Sequence, residues 1–293
     1  MIKLLIDSMC NMRDELLQES FVDFVSLNVI IDGKPYRDKK EIDLAQIHDF
    51  MRQGIVPTTS QVNPGDFREK FIESAQKGEE LIYLSFSSKM SGSYATAKLV
   101  LEEVQKEYQD FKCRIVDSTQ SGGGIGLIAE KLIEAIHQGM GLDQLADYAN
   151  RIKEHVNFFF TVQDLDWLSK GGRISKGVSF IGDLLKIRPI VYVDDGELNV
   201  VAKARGDRKA VSIVVDKVMS NIEIDEDTFF DMAYSDPEES KGIIELTKAK
   251  LLEYGFKIRD AIPIGTVLAA HLGIKGVGLY YWQQNPKKFL LEN

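Results

Sequence analysis

Short apolar runs alternate along this chain with segments whose apolar residues recur every three to four positions. That alternation commits it to a layered α/β fold. Residues 3–6, 24–31, 81–86, 114–116, 158–162, 190–193, 229–233 and 278–282 read as strands. Tyr94, Ala97, Leu101, Val104 and Tyr108 form the apolar stripe of one helix, with Glu102, Glu103, Lys106 and Glu107 mostly off it. Ile125, Ile128, Leu132 and Ile136 mark a second helix after a glycine run. A third is expected over 238–253, where Ser235-Asp236-Pro237 supplies capping residues and a first-turn proline. The Asp-Gly pair of Asp194-Asp195-Gly196, between two strand-like runs, predicts a hairpin. The strand–helix alternation ahead of it predicts a parallel sheet.

At 293 residues the chain has room for two domains of ~100–200 residues each. The alternating pattern gives way near residue 160 to TVQDLDWLSKGGRISKG. The expected division is therefore a parallel-sheet domain over 1–160 and a second α/β domain over 161–293. No Pro- or Ser-rich linker marks the boundary, so the two are expected to pack closely. A net charge of −9 removes the basic field that non-specific nucleic-acid binding needs. Cys10 and Cys113 belong to no CxxC or Cys/His cluster, which argues against a disulfide framework or a zinc site and for a reducing compartment. The opening MIKLLI meets Asp7 before a signal-peptide core could form. The longest uncharged apolar stretch, 262–274, is shorter than the ~20 residues of a spanning helix. These features predict a cytoplasmic protein with room only for brief contact with a membrane surface.

Two hydroxyl clusters stand at strand and helix junctions. In the first, Ser87, Ser88, Ser91 and Ser93 join the strand at 81–86 to the amphipathic helix. Ligands bind at the carboxyl ends of strands in open α/β sheets, and a helix start offers free N–H groups to an anion. Capping of the helix by Ser91 or Ser93 is the plainer reading. The stretch has no GxSxG elbow, and Phe86 stands where an SxxK motif would need serine, so it is a poor nucleophile site. The second cluster, Thr58-Thr59-Ser60, precedes Pro64 and reads alone as a capping pattern. Two such clusters in one α/β half favour convergence on a single acidic ligand group.

Other motifs are weaker. Gly124, Gly126 and Ala129 match GxGxxA, but 118–121 separate them from the strand, and the glycines read better as sites of close backbone approach or tight turns. There is no GxxxxGK[ST] and no HExxH. In LSKGGRISKG, Gly171-Gly172 ends a helix and Arg173 follows, either as a fork for a carboxylate or phosphate or as a loop tie. Arg205, Arg208 and Lys209 read as a solvated basic face. His271 is the one histidine in a long uncharged apolar setting, which suits a core residue or a pocket wall. No acidic partner for it is identifiable, and Asp194-Asp195 reads as turn residues.

Taken in order, these pieces resemble the DegV family over essentially the whole chain. They are Asp7-Ser8, Thr59-Ser60-Gln61, SSKMSGSY from Ser87 to Tyr94, Asp117-Ser118 with the following glycines, GGRISK from Gly171, RPIV with Asp195-Gly196, Ala204-Arg205 and AAHLG around His271. The chain departs from the family pattern at Ile6, at Met9-Cys10-Asn11, at Val62 and at Leu272. The resemblance implies two α/β domains that enclose one acyl chain in a tunnel. It implies a non-catalytic carrier that binds a long-chain (C14–C18) fatty acid and presents it to an ATP-dependent fatty acid kinase subunit, without a further cofactor or metal. The family's carboxylate-binding residues fall on Thr59 and Ser91. Its arginine and histidine near the carboxylate, used in phosphoryl transfer, fall on Arg205 and His271, and Arg173 matches the GGRI piece. The alternatives are a serine esterase or acyltransferase using Ser91 or Ser93 with His271, and a regulatory sensor of a different small acid.

Overall fold

The computed structural model describes residues 1–163, 165–174 and 187–290. The first half runs β1 (Ile2–Asp7), α1 (Asp14–Leu17), β2 (Val22–Val25), β3 (Asn28–Ile31), β4 (Lys34–Arg37), α2 (Leu44–Arg52), β5 (Thr58–Ser60), α3 (Pro64–Gln76), β6 (Glu80–Ser85), α4 (Ser93–Glu107), β7 (Cys113–Asp117), α5 (Gly123–His137) and α6 (Leu142–Ile152). The second runs β8 (Val156–Thr161), α7 (Asp166–Lys170), β9 (Ile187–Asp194), β10 (Glu197–Arg205), α8 (Asp207–Met219), β11 (Phe229–Tyr234), α9 (Pro237–Leu252), β12 (Lys257–Ile258), β13 (Ile262–Pro263), α10 (Thr266–Leu272) and β14 (Val277–Trp282).

The expected parallel sheet is present, in the order β2-β1-β6-β7. A small antiparallel sheet, β4-β3-β5, stands beside it. The second half builds a mixed sheet, β10-β9-β8-β14-β11-β12, with β13 paired to β11. Its β9–β10 hairpin turns on Asp195 (φ 44°) and Gly196 (φ 78°), the paired positive angles of a type I′ turn that the Asp-Gly signal predicts.

Two local expectations are corrected. Residues 24–31 form two strands in different sheets rather than one. The Leu27 N–H bonds Ser8 Oγ at 3.1 Å, which turns the chain out of the parallel sheet between β2 and β3. Thr58-Thr59-Ser60 is strand β5 and caps nothing. Asn63 caps α3 instead, its side chain accepting the Gly65 N–H at 2.8 Å with Pro64 in the first turn. The division expected at 160/161 falls at the end of β8, a strand whose pairings with β9 and β14 place it in the second sheet.

The two halves meet on α5, which packs against β1 on one side and β8, β11 and β14 on the other. Its first turns carry the glycine run because no side chain fits there. A Cβ on Gly126 would overlap the Asn11 carbonyl oxygen, and one on Gly123 would overlap the Tyr280 ring. Polar ties reinforce the contact. Arg259 forks onto Asp231 and reaches Glu130 at 2.9 Å, while Arg13 approaches Asp231 at 3.3 Å. Arg52 binds Asp236 at 2.7 Å, and His48 Nε2 lies 2.9 Å from Ser235 Oγ.

Asp7 knits the carboxyl edge of the parallel sheet. Its carboxylate accepts the Phe86 N–H (2.7 Å), the Tyr83 hydroxyl (3.1 Å) and the Met9 N–H (3.1 Å). Burial nevertheless pushes its carboxyl up to about 6, from 3.8. The native state then holds a proton that the unfolded chain has already released. Stability should therefore fall as pH rises from about 4 to about 6 and level off above, by at most ~3 kcal/mol at ~1.4 kcal/mol per pH unit. Urea midpoints from pH 4 to 7 should show this slope, and Asp7→Asn should flatten it. Gly126→Ala should cost about 1–3 kcal/mol in the same assay, since backbone on both sides must move.

Candidate functional site

The two hydroxyl clusters come together because β5 leads directly onto the start of α4. The Val62 N–H donates to Ser93 Oγ at 3.2 Å, and Gln61 Nε2 donates to Thr96 Oγ1 at 2.7 Å. Gly92, at the cap position of α4, has no side chain to offer, and a Cβ there would overlap Gln61 Oε1. Ser91 Oγ takes over, accepting the Ser93 N–H at 3.2 Å and lying 3.0 Å from Ser93 Oγ. Ser91 is half-buried and Ser93 wholly buried. The segment that follows β5 is thus tied by two side-chain hydrogen bonds to the start of α4, where free N–H groups can serve an anion.

His271 backs Thr59. It sits in α10, 7 % exposed, with Nε2 2.9 Å from Thr59 Oγ1. Nδ1 is buried and has no hydrogen-bond partner. It faces Gly171, where a Cβ would overlap it. One helix turn away the packing repeats: Gly273 (φ 75°) leaves room for Trp167, whose Cδ1 would lie 2.6 Å from a Cβ there. These glycines let α7 lie close on α10 and hold the imidazole in place. Burial, and secondarily the charge of Arg173, lower His271 to about 4, so its ring is neutral at pH 7.

Arg173 completes the group. Its Nε donates to the Met90 carbonyl at 3.3 Å, next to Ser91, and its Nη1 donates to the Gly171 carbonyl. Burial lowers its pKa, and it has no carboxylate partner among the described residues. A half-buried cation held only by carbonyls favours an anion nearby. It lines a cleft of about 720 Å³ together with Lys89, Met90, Gly172, Leu198 and Val200. Ser87 Oγ donates to the Gly196 carbonyl (2.8 Å) and Lys89 pairs with Asp195 (2.7 Å), so the hairpin tip closes one end of this cleft. A second cleft of about 770 Å³ lies at the start of α10, lined by residues that include Arg13, Lys39, Ile264 and Thr266, and contains none of these side chains.

The structure therefore links Thr59 to His271 directly, and His271 to Arg173 and the Met90-Ser91 segment by way of Gly171. Arg205 is not part of the group. It stands exposed at the end of β10, paired with Ile187 of β9, and its side chain has no hydrogen bond or ion pair among the described residues. Ser175, Lys176 and Gly177 of the GGRISKG stretch lie outside the described residues. The sequence pattern marks Ser93 as a helix starter or an alternative nucleophile, and the Gly171-Gly172 pair as a helix stop. The doublet was the available sign of close packing at Gly171, whereas nothing in the sequence announces the Val62–Ser93 bond.

The geometry does not assemble a serine triad. His271 Nε2 is on Thr59 rather than on Ser91 or Ser93, and Nδ1 faces no carboxylate. Among the described residues no His/Cys/Asp/Glu group has metal-holding geometry, and no helix is long and apolar enough to cross a membrane.

Comparison with known proteins agrees with the motif order. The family model described as "Uncharacterised protein, DegV family" matches residues 1–284. A DegV domain-containing protein of Clostridium perfringens is 31% identical over 282 residues, covering 94% of this chain and 95% of the relative. A DegV family protein of Thermus thermophilus, solved for its fatty acid binding, superposes with a TM-score of 0.84 at 27% identity, covering 96% of this chain and 99% of that one. The Streptococcus pneumoniae Fatty Acid Kinase (Fak) B3 protein, loaded with linoleic acid, shares the fold with a TM-score of 0.83 at 21% identity, over 96% and 99% of the two chains. Motif order, architecture and end-to-end similarity converge, and this chain belongs to the DegV family.

Proposed function

We propose that this chain binds one long-chain fatty acid and presents its carboxylate to an ATP-dependent fatty acid kinase, which converts it to the acyl phosphate. The observation that carries the reading is the Thr59 hydroxyl, held at 2.9 Å by a buried neutral histidine that packs on Gly171, whose carbonyl holds the Arg173 guanidinium beside Met90-Ser91. The fatty acid binding described for the Thermus relative supports it. Each buried CH₂ of an acyl tail contributes ~0.8 kcal/mol, and the carboxylate at its end must not be left unpaired. Hydroxyl donors pair it without a covalent bond, so the acid stays free to attack a phosphoryl donor. In this reading Thr59 and Ser91 hold the carboxylate, Arg173 balances its charge and His271 fixes Thr59. The exposed Arg205, with Arg208 and Lys209, is assigned to the encounter with the kinase and its anionic nucleotide. The chain has no phosphate loop of its own, which fits a carrier that relies on a partner for the phosphoryl group.

Mass spectrometry of gently purified protein should release one fatty acid per chain, and added C14–C18 acids should raise the melting temperature. Recovery of no acid together with no thermal shift would sink the reading; a short acid in its place would favour the sensor alternative. Thr59→Ala and Ser91→Ala should each weaken fatty-acid binding roughly ten- to a hundredfold, the loss of one hydrogen bond to a charged group. Unchanged dissociation constants in both would remove the site assignment.

A further inference from the structure

One buried carboxylate is left half-bonded by the fold. Asp38 is 0 % exposed, and its Oδ1 accepts both the Thr266 N–H (3.1 Å) and the Thr266 hydroxyl (2.6 Å). Its Oδ2 is buried and has no hydrogen-bond partner among the described residues. The adjacent Lys39 does not supply one, because its ammonium donates to the Cys10 carbonyl at 2.7 Å. A buried carboxylate oxygen without a donor is costly, so a donor from outside the chain is its natural complement.

Asp38 lines the cleft of about 770 Å³ at the start of α10, at the opposite end of that helix from His271. Small-molecule sites ordinarily occupy roughly 300–1,000 Å³. Gly265, also in the lining, leaves the position in front of the free oxygen vacant, since a Cβ there would lie 3.4 Å from Oδ2. Of the charged side chains around the cleft, five are acidic and three basic. The three cations are engaged elsewhere: Lys39 on Cys10, Arg13 on Asp231 at 3.3 Å, and Lys40 over the Phe24 ring at 4.9 Å. Phe24, Leu44, Ile262 and Ile264 supply apolar wall. A hard metal ion would need several oxygens at once, and no described His/Cys/Asp/Glu group has that geometry.

We propose that this cleft binds a small aliphatic primary amine in its ammonium form, which approaches over Gly265, donates to Asp38 Oδ2 and lays its hydrocarbon against Phe24 and the isoleucines. An ammonium brings both the donors and the positive charge that the carboxylate lacks in its surroundings. An alcohol of the same length brings a donor without the charge. A carboxylic acid of that length brings a second negative charge at pH 7. Thr59, Ser91 and Arg173 do not line this cleft, so the site stands independently of the fatty-acid reading.

The test titrates hexylamine, hexanol and hexanoate into the full chain at pH 7 by calorimetry. Hexylammonium should bind once per chain, roughly tenfold or more tighter than either control. Gly265→Ala is the sharpest variant. The φ of −74° at this position suits alanine, and the new methyl would meet Asp38 Oδ2 and the Ser8 carbonyl at ordinary contact distances of 3.4 and 3.5 Å. The melting temperature should therefore hold while the approach to Oδ2 closes, and hexylammonium binding should weaken roughly tenfold or more. Asp38→Asn keeps an acceptor for Thr266 and should erase the preference for the amine over the alcohol. No saturable binding of hexylammonium to the wild type, or binding that both variants leave unchanged, overturns the proposal. Displacement of hexylammonium by palmitate overturns it too, since the amine would then occupy the acyl site.

Discussion

Everything else in this molecule depends on how closely α5 can approach its neighbours. Its glycine face touches Asn11 backbone on one side and the Tyr280 ring on the other, so one helix serves as wall to both halves. Side chains there would hold the sheets apart by the width of a methyl group or more. The ion pairs of Arg259, Asp231, Glu130 and Arg13 form across the same seam and need that spacing to reach. A dinucleotide fold uses glycines to admit a pyrophosphate; here they admit the protein's own backbone and an aromatic ring.

With the halves at this distance, the loops at the carboxyl edge of the parallel sheet lie against the second half of the chain. Asp7 gathers the loop after β1 and the end of β6 on one carboxylate. The segment after β6 then meets the β9–β10 hairpin through Ser87 and Lys89. Thr59 reaches His271 across 212 residues of chain. The candidate site is therefore a product of tertiary packing between distant segments, with contributions from a short edge strand, a helix start, a helix stop and a buried helix.

Much of this was legible in the sequence, and the limits have physical causes. Periodicity located the helices α4 and α5, the capping run Ser235-Asp236-Pro237 located α9, and Asp195-Gly196 announced its turn because only a few residue types accept two positive φ angles. The glycine run read correctly as a close approach. Residues 24–31 misled because the break is caused by a distant hydroxyl, Ser8, that no local pattern reveals. Thr58–Ser60 misled because capping and strand formation use the same residue types, and Asn63-Pro64 was the stronger cap. Local pattern singled out Thr59, Ser91 and His271 and the family resemblance gave them roles; that Thr59 and His271 touch is a fact of tertiary structure. Arg205 shows the converse, a motif residue that the fold leaves at the surface.

Gly171 has a further consequence. Its Cα packs against the His271 ring while its carbonyl holds the Arg173 guanidinium, which lines the outer cleft. One peptide thus belongs to the interior and to the surface at once. The buried imidazole and the outer cleft are thus anchored on the same backbone unit, and neither can be repositioned without bearing on the other's support.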